Sequence, residues 1–126
     1  PEMVDFFHCY GLPVVLHTCG STTEALPMIV EAGFDGLHPM EVPAGNDTFA
    51  FVEQYRDDLV FIGGFDKRII ETGDRGLIRR ETTAWLDGMK ARGARHVFGS
   101  DHSISTNTDY DAFCYLLEVY RENMMY

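Results

Sequence analysis

His17 and Cys19 stand two residues apart at the end of an apolar, β-branched run, in "PVVLHTCG". Residues two apart in an extended strand point to the same face. The imidazole and the thiol can therefore converge on one point at the strand's C-terminal end. Both are good zinc donors. The competing reading is packing, with Cys19 as a small apolar residue and His17 bonded to a neighbour. Asp101-His102, in "VFGSDHS", follows another apolar run. A third donor from there would complete an open zinc site, with three protein ligands and one free position. Otherwise Asp101 caps a turn and His102 is a hydrogen-bonding loop residue.

Other candidates sit in similar places. Glu41, in "LHPMEVPAGND", can be a ligand, a general base or a carboxylate that orients a ligand. Asp66, Lys67 and Arg68 follow "FIGGF". The Gly63-Gly64 pair lets backbone approach closely. Arg68 can grip a carboxylate-bearing substrate through its two-donor fork, or it can form a surface ion pair worth little. Neither GxGxxG nor GK[ST] accompanies the glycines, so they are no phosphate loop. His38 reads as a packed or hydrogen-bonded core histidine, His8, His96, Cys9 and Cys114 as structural, and Phe6, Phe7, Tyr10, Phe113, Tyr115 and Tyr120 as helix packing.

The elements that must position these residues alternate. Short apolar runs "LPVVLH", "FDGLHP", "LVFIGG" and "ARHVFGS" are separated by helical patterns. Ser21 and Glu24 form a capping-box signature before "TTEALPMIVEA", although Pro27 inside it predicts a kink or a late start. Asp47 can cap "TFAFVEQYRDD", and Asp109 or Thr108 can cap "YDAFCYLLEVYRE". "FDKRIIETGD" reads as a loop into a long helix over residues 74–92, with Leu77, Ile78, Trp85, Leu86 and Met89 on one apolar stripe. Alternating strands and helices predict an α/β fold with parallel strands and crossover helices. Sites of such folds lie at the C-terminal strand ends, where the candidate residues fall.

Four βα units over 126 residues are about half of a (β/α)8 barrel, which takes about 250. The expectation is one domain, residues 1–126, forming the C-terminal half of a TIM barrel with the N-terminal half absent. Two open sheet edges then predict an oligomer or a longer chain.

A net charge of −10 argues against nucleic acid as a partner, since that needs a basic stripe. The 45% hydrophobic and 24% charged content is that of an ordinary soluble globular protein. No apolar run is long enough for a membrane span, and the start carries no secretory signal. Three cysteines at unrelated spacings form no disulfide framework, which favours a reducing cytoplasm.

Together, "HTCG", "DGLHPMEVPAGND", "FIGGFDKRIIETGD" and "VFGSDHSISTNTDYDAF" resemble the C-terminal half of the uroporphyrinogen decarboxylase superfamily, over nearly the whole chain. The superfamily includes porphyrinogen decarboxylases and the zinc-dependent methylcobamide:coenzyme M methyltransferases. Its fold implies a TIM barrel. The methyltransferase branch carries an HxC motif where this chain has His17-Thr18-Cys19, and a later Cys where this chain has His102. The decarboxylase branch has Gly-His-Gly at that later place. "GGFDKR" resembles its Gly-Asn-Leu-Asp-Pro segment with Asn and Pro replaced.

The resemblance is nearest to relatives found beside corrinoid proteins. It implies zinc on His17, Cys19 and His102, and transfer of a methyl group from a corrinoid on a partner protein to a small thiol-type acceptor. Glu41, Asp66 and Asp101 would be the catalytic groups, and Gly64, Lys67 and Arg68 would bind the substrate. The alternatives are a metal-free carboxy-lyase acting on a carboxylated substrate and a non-catalytic scaffold.

Overall fold

A computed structural model of the chain describes residues 2–125. Its elements are α1 (Glu2–His8), β1 (Val15–Thr18), α2 (Leu26–Glu31), β2 (Gly36–Pro39), α3 (Thr48–Tyr55), β3 (Val60–Ile62), α4 (Lys67–Glu71), α5 (Arg75–Ala91), β4 (His96–Val97) and α6 (Tyr110–Asn123). A 3-10 turn, Val42–Ala44, interrupts the loop after β2. The four strands form one parallel sheet in the order β1-β2-β3-β4. This is the arrangement of one half of a (β/α)8 barrel. No helix is long and apolar enough to cross a membrane among the described residues.

Register decides which side chains see which layer. Leu16 pairs with Leu37, Leu37 with Phe61 and Phe61 with His96. This row faces the helices, and Leu37 and Phe61 are fully buried there. The neighbouring positions alternate to the other face, which carries Val15, His17 and Val97, all exposed. The core lies between sheet and helices, around Phe61, Phe65, Ile78, Leu86 and Met89. Trp85 meets Phe65 edge-on, with centroids 6.3 Å apart.

The helix starts follow local chemistry. Asp47, Asp74 and Asp109 each accept a backbone N–H of the turn they open. Two expectations are overturned. The Ser21–Glu24 capping box does not form: α2 starts at Leu26, with Pro27 in its first turn and no side-chain cap. Proline is tolerated there because that N–H has no helical partner in any case, so its position sets the late start. The segment read as a loop before α5 contains α4, because Asp66 accepts the Arg68 N–H and caps it.

The α5 stripe is Ile78, Thr82, Trp85, Leu86 and Met89, with Leu77 only half-buried. Phe6, Phe7 and Tyr10 are exposed and pack edge-on against one another. Cys9 is also exposed.

Gly63, one residue past β3, faces the backbone of β2 on one side and of the loop after β4 on the other. A Cβ there would stand 2.7 Å from the Ser100 carbonyl and 2.9 Å from the Pro39 carbonyl, and its φ is +92°. Gly63→Ala is expected to cost about 2 kcal/mol or more through strain and backbone displacement. Urea unfolding of the variant beside the native chain measures it. A cost below about 0.5 kcal/mol would mean that the strand ends are not closely packed.

Candidate functional site

The C-terminal strand ends carry a cleft of about 260 Å³, lined by His17, Cys19, His38, Pro39, Ser100, His102 and Ser103. β1 brings His17 and, one residue past its end, Cys19. β2 brings His38, which is in direct register with His17. The loop after β4 brings His102. The three residues expected to ligate zinc thus share one cleft.

His17 Nε2 lies 3.8 Å from Cys19 Sγ. Its other nitrogen, Nδ1, lies 2.8 Å from His38 Nδ1. That short contact needs one proton between the rings, so one imidazole donates and the other accepts. When His17 donates through Nδ1, its Nε2 lone pair faces Cys19. When His38 donates, His17 turns an N–H towards the sulfur. Burial, then repulsion from a charged His17, holds the His38 imidazole below the ordinary histidine range. His38, expected as a packed or hydrogen-bonded core histidine, is hydrogen-bonded, but to His17 at the cleft. Its register with His17 was the overlooked signal.

The two donors at 3.8 Å nearly match one tetrahedral zinc. Ligand bonds of about 2.0–2.1 Å to nitrogen and 2.3 Å to sulfur place the two donor atoms roughly 3.6 Å apart. His102 lines the same cleft. No three His, Cys, Asp or Glu side chains are already grouped about one metal position among the described residues.

The remaining expected residues hold the loops. Glu41 Oε2 accepts the Gly20 N–H at 3.0 Å, beside Cys19. Asp101 is fully buried. Its Oδ2 accepts the Val42 N–H and its Oδ1 the Lys67 N–H, each at 3.0 Å, while its own N–H donates to the Phe65 carbonyl. As placed, both oxygens position backbone and neither reaches the cleft. Ser100 Oγ donates to the His102 carbonyl at 2.6 Å and sets the turn that carries His102. Lys67 Nζ donates to the Ser103 carbonyl.

Asp66 and Arg68 lie apart from the histidines. Arg68 Nη2 and Nε bind Asp66 at 2.6–3.1 Å, so the guanidinium is already committed to a carboxylate. Asp66 and Gly64 line a different cavity, described below.

Asn46 is the residue that sequence reasoning passed over. It is buried, and its Oδ1 accepts from the Thr22 N–H and hydroxyl, while Nδ2 donates to the Gly20 and Glu41 carbonyls. It ties the loop after β1 to the loop after β2. The only local hint was its place beside the cap residue Asp47.

Two consequences can be measured. Asn46→Ala leaves four polar groups short of a partner, the two on Thr22 buried and the Gly20 and Glu41 carbonyls half-buried, and is expected to cost about 2–4 kcal/mol by urea unfolding. A change within about 0.5 kcal/mol would show that water replaces all four bonds.

The hydrogen-bonded Arg68 guanidinium holds the Asp66 carboxyl below its ordinary value of 3.8. The contribution of that pair is therefore fully present above about pH 4 and lost as pH falls through the lower folded value. Asp66→Asn should flatten the stability curve below about pH 4. An unchanged acid limb would show that the pair is too well solvated to matter.

Among known proteins, no curated protein and no solved structure matches the chain. The profile of one family, described as uroporphyrinogen decarboxylase (URO-D), matches residues 2–123. That match spans every element of the half-barrel and every loop of the cleft, and the chain belongs to the uroporphyrinogen decarboxylase family.

Proposed function

We propose that this chain supplies the ligand side of a zinc-dependent methyl-transfer site. In this reading His17, Cys19 and His102 would hold a zinc ion, and the site would serve transfer of a methyl group from a corrinoid on a partner protein, whose cobalt–carbon bond breaks, to the sulfur of a small thiol-type acceptor, which gives up its proton. The observation that carries the reading is the His17 Nε2–Cys19 Sγ separation of 3.8 Å, in a cleft that His102 also lines. Zinc, when bound, lowers the pKa of a coordinated thiol so that the thiolate forms near neutral pH.

The chain's own residues have distinct tasks. His38 fixes the His17 ring through the Nδ1–Nδ1 contact, as carboxylate or carbonyl partners do for other metal-bound histidines. Glu41 holds the Gly20 amide and so the backbone after Cys19. Asp101 and Ser100 fix the turn that presents His102. The carboxy-lyase alternative needs a cation free to receive a carboxylate. Arg68, its main candidate, is bound to Asp66 instead.

The test is metal content after chelator washing and zinc reloading, for the native chain and for His17→Ala, Cys19→Ser, His102→Ala and His38→Gln. About one zinc per chain is expected in the native protein, with loss in the first three. His38→Gln should lower zinc affinity by about 10- to 100-fold while leaving the ligands in place. Thiol S-methylation from free methylcobalamin then reports the reaction. A well-folded native chain that takes up no zinc overturns the reading and leaves the lyase or scaffold alternatives.

A further inference from the structure

A second cavity, of about 380 Å³, lies between the start of α3, the loop after β3, α4 and α5. It is at the small end of the roughly 300–1,000 Å³ range of ligand pockets. Phe49, Phe65, Ile69, Ala84 and Trp85 give it apolar walls. The walls are firmly set. Trp85 stands edge-on to Phe65, with an interplanar angle of 88°. The Arg92 guanidinium lies 4.4 Å from the centroid of the Phe49 ring.

Two polar features break the apolar lining. Thr48 is only 6% exposed, and its Oγ1 has no hydrogen-bond partner. Across from it is Gly64. A Cβ there would come within 2.7 Å of Thr48 Oγ1, so the hydroxyl packs directly against the Gly64 backbone and has no open surface of its own.

Three carboxylates, Asp47, Asp66 and Glu81, also line the cavity. Asp66 is paired with Arg68 and Glu81 with Arg80. Asp47 is exposed, accepts only the Ala50 N–H and forms no ion pair among the described residues. No Lys or Arg lines the cavity. It therefore carries one uncompensated negative charge, in a chain of net charge −10.

We propose that this cavity binds a small arylalkyl amine. The aromatic body lies among Phe49, Phe65, Ile69 and Trp85, and the ammonium pairs with the exposed Asp47 carboxylate. The charge disfavours a carboxylate ligand, and the apolar walls disfavour a hydrophilic polyamine. The site is separate from the His17–Cys19 cleft and does not depend on zinc.

Trp85 is the chain's one tryptophan, so its fluorescence reports on the cavity directly. The probe is 2-phenylethylamine at neutral pH, with 2-phenylethanol as its uncharged counterpart. The amine should give a saturable Trp85 response and bind at least about tenfold more tightly than the alcohol, a difference of about 1.4 kcal/mol. Asp47→Asn keeps a side chain that caps α3 and should abolish that preference. Ala84→Leu, at an exposed helix position, should fill the mouth and weaken both ligands. A non-saturating response in the native chain overturns the proposal. So does equal binding of amine and alcohol, or amine binding that neither substitution changes.

Discussion

One buried carboxylate ties three of the four strand-end loops together. Asp101 has no exposed surface, and each of its oxygens accepts a backbone N–H, from Val42 after β2 and from Lys67 after β3. Its own N–H closes on Phe65, and Phe65 bridges back to Ser100 in the loop after β4. A carboxylate in this position would be costly without partners. With two charge-assisted bonds to backbone it becomes a strong local restraint. The two amides begin the 3-10 turn and α4 respectively, so one side chain starts two elements and also precedes His102.

Asn46 does for the first two loops what Asp101 does for the last three. The amide's paired donor and acceptor hold Gly20 and Glu41 on one side and Thr22 on the other. Glu41 returns a bond to Gly20. The backbone flanking Cys19 is thus held from β2 rather than by its own strand, which has only four residues. Loops carry most binding chemistry, but they need rigid supports to be precise. Here the supports are two buried polar side chains and Gly63, whose missing Cβ lets the chain after β3 approach the backbone of β2 and of the loop after β4.

The fold was legible in the residues because its signals are local. Alternating apolar runs and helical stripes, and Asp47 and Asp109 as caps, need only near neighbours in the chain. The convergence of His17 and Cys19 was legible for the same reason, since a strand's period of two fixes it. The partners of these residues were not. His38 reaches His17 only through the register of a parallel pair, and no motif within one strand encodes that register. Asp101 and Asn46 looked like polar loop residues, because burial by other loops leaves no pattern in the surrounding sequence. The Ser21 box failed for a related reason. The neighbouring Thr22 N–H is drawn to Asn46 across the loops, and the helix begins later, at the proline-set turn.

The same long-range placement separates residues that the sequence lines up alike. His17, Cys19, Asp66 and Arg68 all follow strands, and strand-end residues of an α/β fold ordinarily share one mouth. In this half-barrel they divide. The histidines and cysteine turn towards the open face of the sheet, on the side of Val15 and Val97. Asp66 caps α4 and turns outward, over the helix layer, where Phe65 and Trp85 shape the neighbouring cavity. The Asp66–Arg68 pair follows from that turn: a carboxylate at a helix start, two residues before an arginine, satisfies the guanidinium locally. A chain that commits its strand-end arginine in this way has soft donors on the cleft side and acidic, apolar surface on the other. Chemistry at the two places is then set by different groups, imidazole and thiol in one, carboxylate in the other.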